Sequence, residues 1–200
     1  MRRTLPILAL ATLFATVPMF AQQPTEKPKE GSVNDRRQDQ QQRIANGVQS
    51  GQLTAGETKR LETREAKLNH EIKNDRQANG GRLTAQERRQ VNRQQNRISR
   101  SIDNDKHNAA QAHYGSTEVG QRRDNQQDRI AQGIRSGQMT PGEVARTENR
   151  EQNINRSIAA DRAANGGRLT AQERHNINQR QNRVSHQIYR QKHNSRVAPK

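Results

Sequence analysis

Apolar side chains recur along this chain in steps of seven and four. Leu61, Leu68 and Ile72 form one set, Val91, Ile98 and Ile102 a second, and Ile177, Val184 and Ile188 a third. A fourth set has Thr147 at its first place, followed by Ile154 and Ile158. On a helix turning 100° per residue, these steps return to nearly one line, so each set predicts a helix with a narrow seam of coiled-coil type. The broad apolar face of a large globular core is missing. Each seam follows a helix-start signal: Thr54-x-x-Glu57, Thr84-x-x-Glu87, Thr140-x-x-Glu143 and Thr170-x-x-Glu173. At that spacing the hydroxyl accepts a first-turn N–H and the carboxylate reaches back to the cap. Asn79-Gly80-Gly81 and Asn165-Gly166-Gly167 supply the residues with which a helix stops and reverses. Gly47 with Gly51, and Gly133 with Gly137, do the same after a shorter first helix. The predicted helices run roughly over 36–48, 54–78, 84–107, 122–134, 140–164 and 170–193.

The pattern occurs twice. Shifted by 86 positions, residues 43–108 fall on 129–194 without a gap, with about 38 of 66 positions identical, and Ala78 to Arg88 recurs letter for letter as Ala164 to Arg174. Within each half, Gly-x-Leu-Thr-x-x-Glu returns after 30 residues, from Gly51 to Gly81; in the second half Gly137 (with Met139 for the leucine) is followed by Gly167. Such periods indicate one supersecondary unit reused. The expected fold is therefore all-α: a tandem duplication of a three-helix antiparallel unit built from helix-loop-helix repeats. Unit 1 occupies 36–108 and unit 2 occupies 121–194, with a link at 109–120 and a basic tail at 195–200. Two separate bundles and one packed six-helix body both fit this pattern.

Composition narrows the setting. Arg2 and Arg3 precede an apolar run from Leu5 to Phe20, and Ala21 follows before Gln22. That order predicts a secretory signal peptide at 1–21, and hence a periplasmic or secreted protein. Residues 22–35, rich in proline and charge, read as a disordered leader. Without the signal, Tyr114 and Tyr189 are the sole aromatics, and with no cysteine there is no disulfide to compensate for the thin core. The formal net charge is +16, and it belongs to the repeated pattern: residues 33–110 carry 16 basic and 10 acidic side chains, and residues 119–196 carry 15 and 7. A chain of this sign favours anionic partners.

Several constellations are candidates for chemistry. Arg89, Arg93 and Arg100 point opposite the Val91 seam with Arg97 on the flank. Beyond Glu173 the chain carries Arg174, Arg180, Arg183, Arg190 and Lys192 with no acidic residue at all. Such stripes suit a phosphate-bearing polymer, each contact releasing a counterion, although charged helix faces ordinarily do no more than keep a protein soluble. Base-specific recognition of nucleic acid has no support, because no aromatic platform or known module is present. His175, His186 and His193 share a helix face, but their spacings of 11 and 7 residues put them on the order of 16 and 10 Å apart. His107, His113 and Asp103 cluster near the link without a recognised ligand spacing. Neither group predicts a metal site. Carboxylates at helical spacing, Glu57 with Glu62 or Glu65, read as part of a charge-laced helix surface. No cysteine, nucleophile elbow, phosphate-cradling loop or zinc-protease motif is present, so no enzyme and no cofactor is expected.

Gly-x-Leu-Thr-x-x-Glu resembles the second half of an EF-hand calcium loop. That family also needs oxygen ligands earlier in the loop, where the loops at Gly81 and Gly167 have Arg76, Ala78 and Gly80, or Arg162, Ala164 and Gly166, and those at Gly51 and Gly137 have Asn46, Val48 and Ser50, or Gln132, Ile134 and Ser136. An arginine in the first place puts a cation where a ligand should be, so the glutamates are better read as caps. The whole chain after the signal is similar to a group of exported bacterial repeat proteins that carry GxLTxxE and close a helix with Lys-His-Asn, here Lys106-His107-Asn108 and Lys192-His193-Asn194. This resemblance implies no activity. The functional expectation is an exported, non-enzymatic protein that binds or coats anionic envelope polymers or nucleic acid through basic helix faces. The alternatives are a divalent-metal-responsive protein using degenerate EF-hand-like loops, and a hydrophilic stress protectant or periplasmic chaperone.

Overall fold

The computed structural model describes residues 32–198. The expected signal at 1–21 and the leader up to residue 31 lie outside the described residues. Six helices follow one another: α1 Val33–Gln49, α2 Ala55–Ala78, α3 Ala85–Lys106, α4 Glu118–Ser136, α5 Pro141–Ala164 and α6 Ala171–Lys192. No strand occurs among the described residues. α1 starts three residues before the expected boundary because Ser32 and Asp35 close a capping box of their own. α4 begins inside the stretch read as the link, where the Thr117 hydroxyl accepts the Gly120 N–H. The rest of that stretch is tied down: Ala112 N donates to Gly51 O at 2.8 Å, and Tyr114 is buried.

The six helices form one packed body. The outer helix α3 lies against α1 and α2, and α6 lies against α4 and α5, while α2 packs on α5 and α1 on α4. The inner helices α1, α2, α4 and α5 therefore make the central layer, with α3 and α6 on its outside. α2 and α5 run antiparallel, since Lys59 Nζ donates to Asn149 Oδ1 at 2.7 Å and Gly56 lies against Gln152, whereas Ala66 lies against Gly142. Their crossing point falls near Leu61 and Thr147.

Every seam residue read from the sequence is buried: Leu61, Leu68 and Ile72, Val91, Ile98 and Ile102, Ile154 and Ile158, Ile177, Val184 and Ile188, with Thr147 among them. Leu53, Met139, Ile44, Val48, Ile130 and Ile134 extend this core. Leu53 and Met139 fit only because Gly47 and Gly133 lack side chains. A Cβ there would come within 2.7 Å of Leu53 and 2.6 Å of Met139.

The inner helices bury more than a narrow seam. Glu57, Glu62 and Glu65 are buried on α2, and Glu143, Glu148 and Glu151 on α5. The reading of Glu57, Glu62 and Glu65 as part of a solvated surface is therefore corrected. These helices are covered on one side by an outer helix and on the other by the opposite half, so positions flanking the seam also lose water.

A chain short of apolar residues fills the remaining contacts with amides. Gln40 Nε2 donates to Gln95 O at 2.7 Å and to Ser99 Oγ at 2.9 Å, and Gln95 Nε2 donates to Val33 O at 2.8 Å. Gln126, Gln181, Ser185 and Val119 repeat this set 86 residues on. Each amide nitrogen meets a main-chain carbonyl of another helix, which specifies register, while the Oε1 atoms of these four glutamines are buried without a partner among the described residues.

Candidate functional site

The four Thr-x-x-Glu pairs close reciprocally at the starts of α2, α3, α5 and α6. For Thr54 and Glu57, the threonine N–H and hydroxyl donate to Glu57 Oε2 at 2.9 and 2.7 Å, while Glu57 N donates to Thr54 Oγ1. Each capping glutamate also receives an asparagine amide. Asn108 donates to Glu57 Oε1 at 2.7 Å and Asn194 to Glu143 Oε1 at 2.8 Å. Asn79 and Asn165 do the same for Glu87 and Glu173 at 2.9 and 2.8 Å. The Lys-His-Asn and GxLTxxE motifs thus meet in space, the asparagine that closes the last helix of a half locking the cap that opens its middle helix. Burial raises the Glu57 carboxyl, but the bonds from Thr54 and Asn108 outweigh it and leave the group below its usual value. At Glu87 and Glu173 the backbone bonds from Thr84 and Thr170 lower the carboxyls. With their oxygens spoken for, these glutamates are structural caps.

The basic residues singled out in the sequence all lie on the outer helices. Arg89, Arg93, Arg97 and Arg100 on α3 and Arg174, Arg183 and Arg190 on α6 are exposed. Arg174 donates to Leu169 O at 2.7 Å, Arg180 to Ser157 Oγ at 2.7 Å and Lys192 to Gln132 Oε1 at 2.7 Å. Arg180 and Lys192 are half-buried. None of the nine forms an ion pair among the described residues. Part of each row converges on a groove. Between α2 and α3, Arg64, Lys67, Arg97 and Arg100 line a groove of about 480 Å³. Between α5 and α6, Arg150, Arg180 and Arg183 line one of about 220 Å³ at the corresponding place. Arg64, Lys67 and Arg150 were missed in the sequence because they sit on inner helices. Only the helix pairing brings them beside the outer rows.

Burial sharpens this polarity. Six acidic side chains, Glu57, Glu62, Glu65, Glu143, Glu148 and Glu151, are buried, against two basic ones, Arg37 and Arg123. The accessible surface is therefore more basic than the composition indicates, and the field near the outer helices is less compensated.

The histidines are dispersed. His107, His113, His175, His186 and His193 are all exposed. His107 Nδ1 lies 3.4 Å from Asp103 Oδ1, and His193 stacks on Tyr189 with ring centroids 4.2 Å apart. Among the described residues, no three His, Cys, Asp or Glu side chains come together as an ion would require. No described helix is long and apolar enough to cross a membrane.

A second cluster, absent from the sequence-based candidates, lies on the α2–α5 crossing. Glu62 and Glu65, one turn apart on α2, and Glu148 and Glu151 on α5 are at most 1 % exposed. Gln41 on α1 donates to Glu62 Oε2 at 3.2 Å, and Gln127 on α4 donates to Glu148 Oε2 at 3.3 Å. Burial, reinforced by the neighbouring Glu65, pushes the Glu62 carboxyl up to about 8. Burial raises Glu65 to about 7 against the opposing pull of Arg37, and Glu151 to about 7 against Arg123 and Arg129. Glu148 is raised well above its usual value by burial, then by Glu151 and by Glu62 across the crossing. Arg123 in turn lies 4.2 Å over the Tyr114 ring, a cation–π contact that helps seat the link.

The chain matches no protein family, and no curated protein or solved structure is similar to it. Any functional reading therefore rests on the site geometry.

Proposed function

We propose that this is an exported, non-enzymatic protein made of two copies of one duplicated unit, which binds phosphate-bearing polyanions through the outer faces of α3 and α6. The observation that carries this reading is the pair of basic grooves, where Arg97 and Arg100 meet Arg64 and Lys67, and Arg183 meets Arg150 and Arg180. Six carboxyls are withdrawn into the interior, and none of these groove cations forms an ion pair among the described residues. A linear polymer offers phosphates at regular steps, and a helix row offers guanidiniums at regular steps. Contact is multivalent, and affinity comes from counterion release at each phosphate. Arginine suits this use because its planar fork grips a phosphate with two parallel N–H bonds. Nothing at the grooves reads bases: both tyrosines lie elsewhere, Tyr114 buried near α4 and Tyr189 against His193. Binding should accordingly follow charge density rather than sequence.

The test is fluorescence anisotropy of the chain lacking residues 1–21 with labelled polyphosphate, single-stranded DNA and a phosphate-free polycarboxylate. Affinity should drop steeply from about 50 to 200 mM salt, and the triple variant Arg97→Gln, Arg100→Gln, Arg183→Gln should lower the slope of log K against log salt by roughly two to three. Affinity that ignores salt, or a variant with the parent's slope, refutes this reading.

A further inference from the structure

The carboxyls at the α2–α5 crossing have no part in the polyanion reading, and they sit where the two halves of the molecule touch. Around them the unpartnered buried atoms are nearly all acceptors: Glu62 Oε1, both oxygens of Glu65, Glu148 Oε1 and Glu151 Oε1, with the Gln41 and Gln127 Oε1 atoms beside them. What the crossing lacks is donors. A protonated carboxyl supplies one, whereas an ionised carboxylate adds a further demand for them. Two of the four have a cation close by, Arg37 for Glu65 and Arg123 with Arg129 for Glu151. Glu62 and Glu148 each accept one glutamine amide, Tyr114 of the link lies near Glu148, and Glu62 adds across the crossing to the upward shift of Glu148. On the outer helices, Asp105 of α3 is engaged with Arg60 and Lys192 of α6 with Gln132.

We propose that the α2–α5 crossing is a proton-operated joint, in which protonated Glu62 and Glu148 let the halves close on each other and loss of their protons drives the halves apart. Magnitude decides that the joint gives way rather than merely weakening. Each carboxyl that holds its proton more tightly in the closed body than in the open chain makes opening on the order of 100-fold easier once deprotonated. All four acting together are comparable with the whole stability of a domain, so separation precedes full ionisation. The direction is fixed by the same preference. Stability from this source is complete below the ordinary glutamate value of 4.5 and is lost as pH rises through 7 to 8. Because α3 packs only within the first half and α6 only within the second, opening the crossing can leave most helix in place while changing how the two basic faces are disposed.

The chain has no cysteine, so two can be introduced for labelling at the exposed positions Gln90 on α3 and Asn176 on α6. Energy transfer between the labels and urea unfolding followed at 222 nm should be read from pH 5 to 9 in the labelled protein and in the pair variant Glu62→Gln, Glu148→Gln. The amides keep the shape and cannot ionise. The parent should lose transfer and at least 100-fold in its unfolding equilibrium between pH 5 and 8.5, while the variant stays closed with a much flatter profile. A parent insensitive to pH, or a variant with the parent's pH slope, overturns the proposal. If this pair fails to fold, Glu65→Gln with Glu151→Gln replaces it: a reduced pH slope supports the joint and an unaltered one refutes it. Polyanion binding measured at pH 6 is a separate readout, so failure here leaves that reading standing.

Discussion

Replacing Asn194 by alanine removes the hydrogen bond that locks the cap at the start of α5 to the end of α6, where Arg196 Nη1 also lies 3.9 Å from the same Glu143 oxygen. Asn194 Nδ2 lies 2.8 Å from Glu143 Oε1, and Glu143 is 1 % exposed. A hydrogen bond to a charged acceptor contributes about 1.5–3 kcal/mol, and leaving a buried carboxylate oxygen unfilled costs a similar amount. Asn194 is itself exposed, so water can reach part of the vacated place, which puts the expected loss in the lower half of that range, about 1.5–2 kcal/mol. For a body of this size that is a fall in Tm of roughly 3–8 °C. Asn108→Ala should cost about the same through Glu57. The two asparagines share no partner, so the double variant should be close to additive. Asn194→Asp should be worse than alanine at neutral pH, because it sets carboxylate against carboxylate. Urea unfolding followed by circular dichroism measures all of these, with the exposed Asn104→Ala as control. A loss below about 0.5 kcal/mol for both asparagines, or no difference from the control, would refute the reasoning that the two motifs are partners.

Leu68→Ala removes a fully buried side chain from the α2 seam and should destabilise by about 2–5 kcal/mol, visible as a lower urea midpoint with an unchanged slope. Gly133→Ala should destabilise by about 1–3 kcal/mol, since its Cβ would meet Met139 at 2.6 Å, and Met139→Ala in the same chain should recover part of the loss. The overall pH profile should peak near the usual glutamate value of 4.5. Above it, the raised carboxyls Glu62, Glu65, Glu148 and Glu151 remove stability as they ionise. Below it, the lowered caps Glu57, Glu87 and Glu173 lose theirs as they take up protons. Thermal melts from pH 3 to 9 test this, and a maximum above pH 7 would contradict it.

Helix positions and the seam were legible because both are local. Thr84 and Glu87 need only each other to start α3, and the interval from Val91 to Ile98 to Ile102 is set by the helical turn. Side-chain direction along a helix follows from spacing alone, so the row of Arg89, Arg93 and Arg100 opposite the Val91 seam could also be read and is exposed. The pairing of Arg64 with Arg97, or of Asn108 with Glu57 across 51 residues, has no local signal.

The glutamates make the division plainest. In the linear chain Glu62 and Glu65 look like any solvated pair on a charged helix, because burial is a property of the space around a residue and not of its neighbours in sequence. That space was decided when α5 packed on α2, placing the opposite half over positions that an isolated three-helix bundle would leave in water. Local order, helix ends and apolar lines follow from short-range sterics and capping. The joining of two thin bundles into one body, and the low-dielectric setting that turns surface-like carboxylates into tightly held protons, follow only from contacts between residues far apart in the chain.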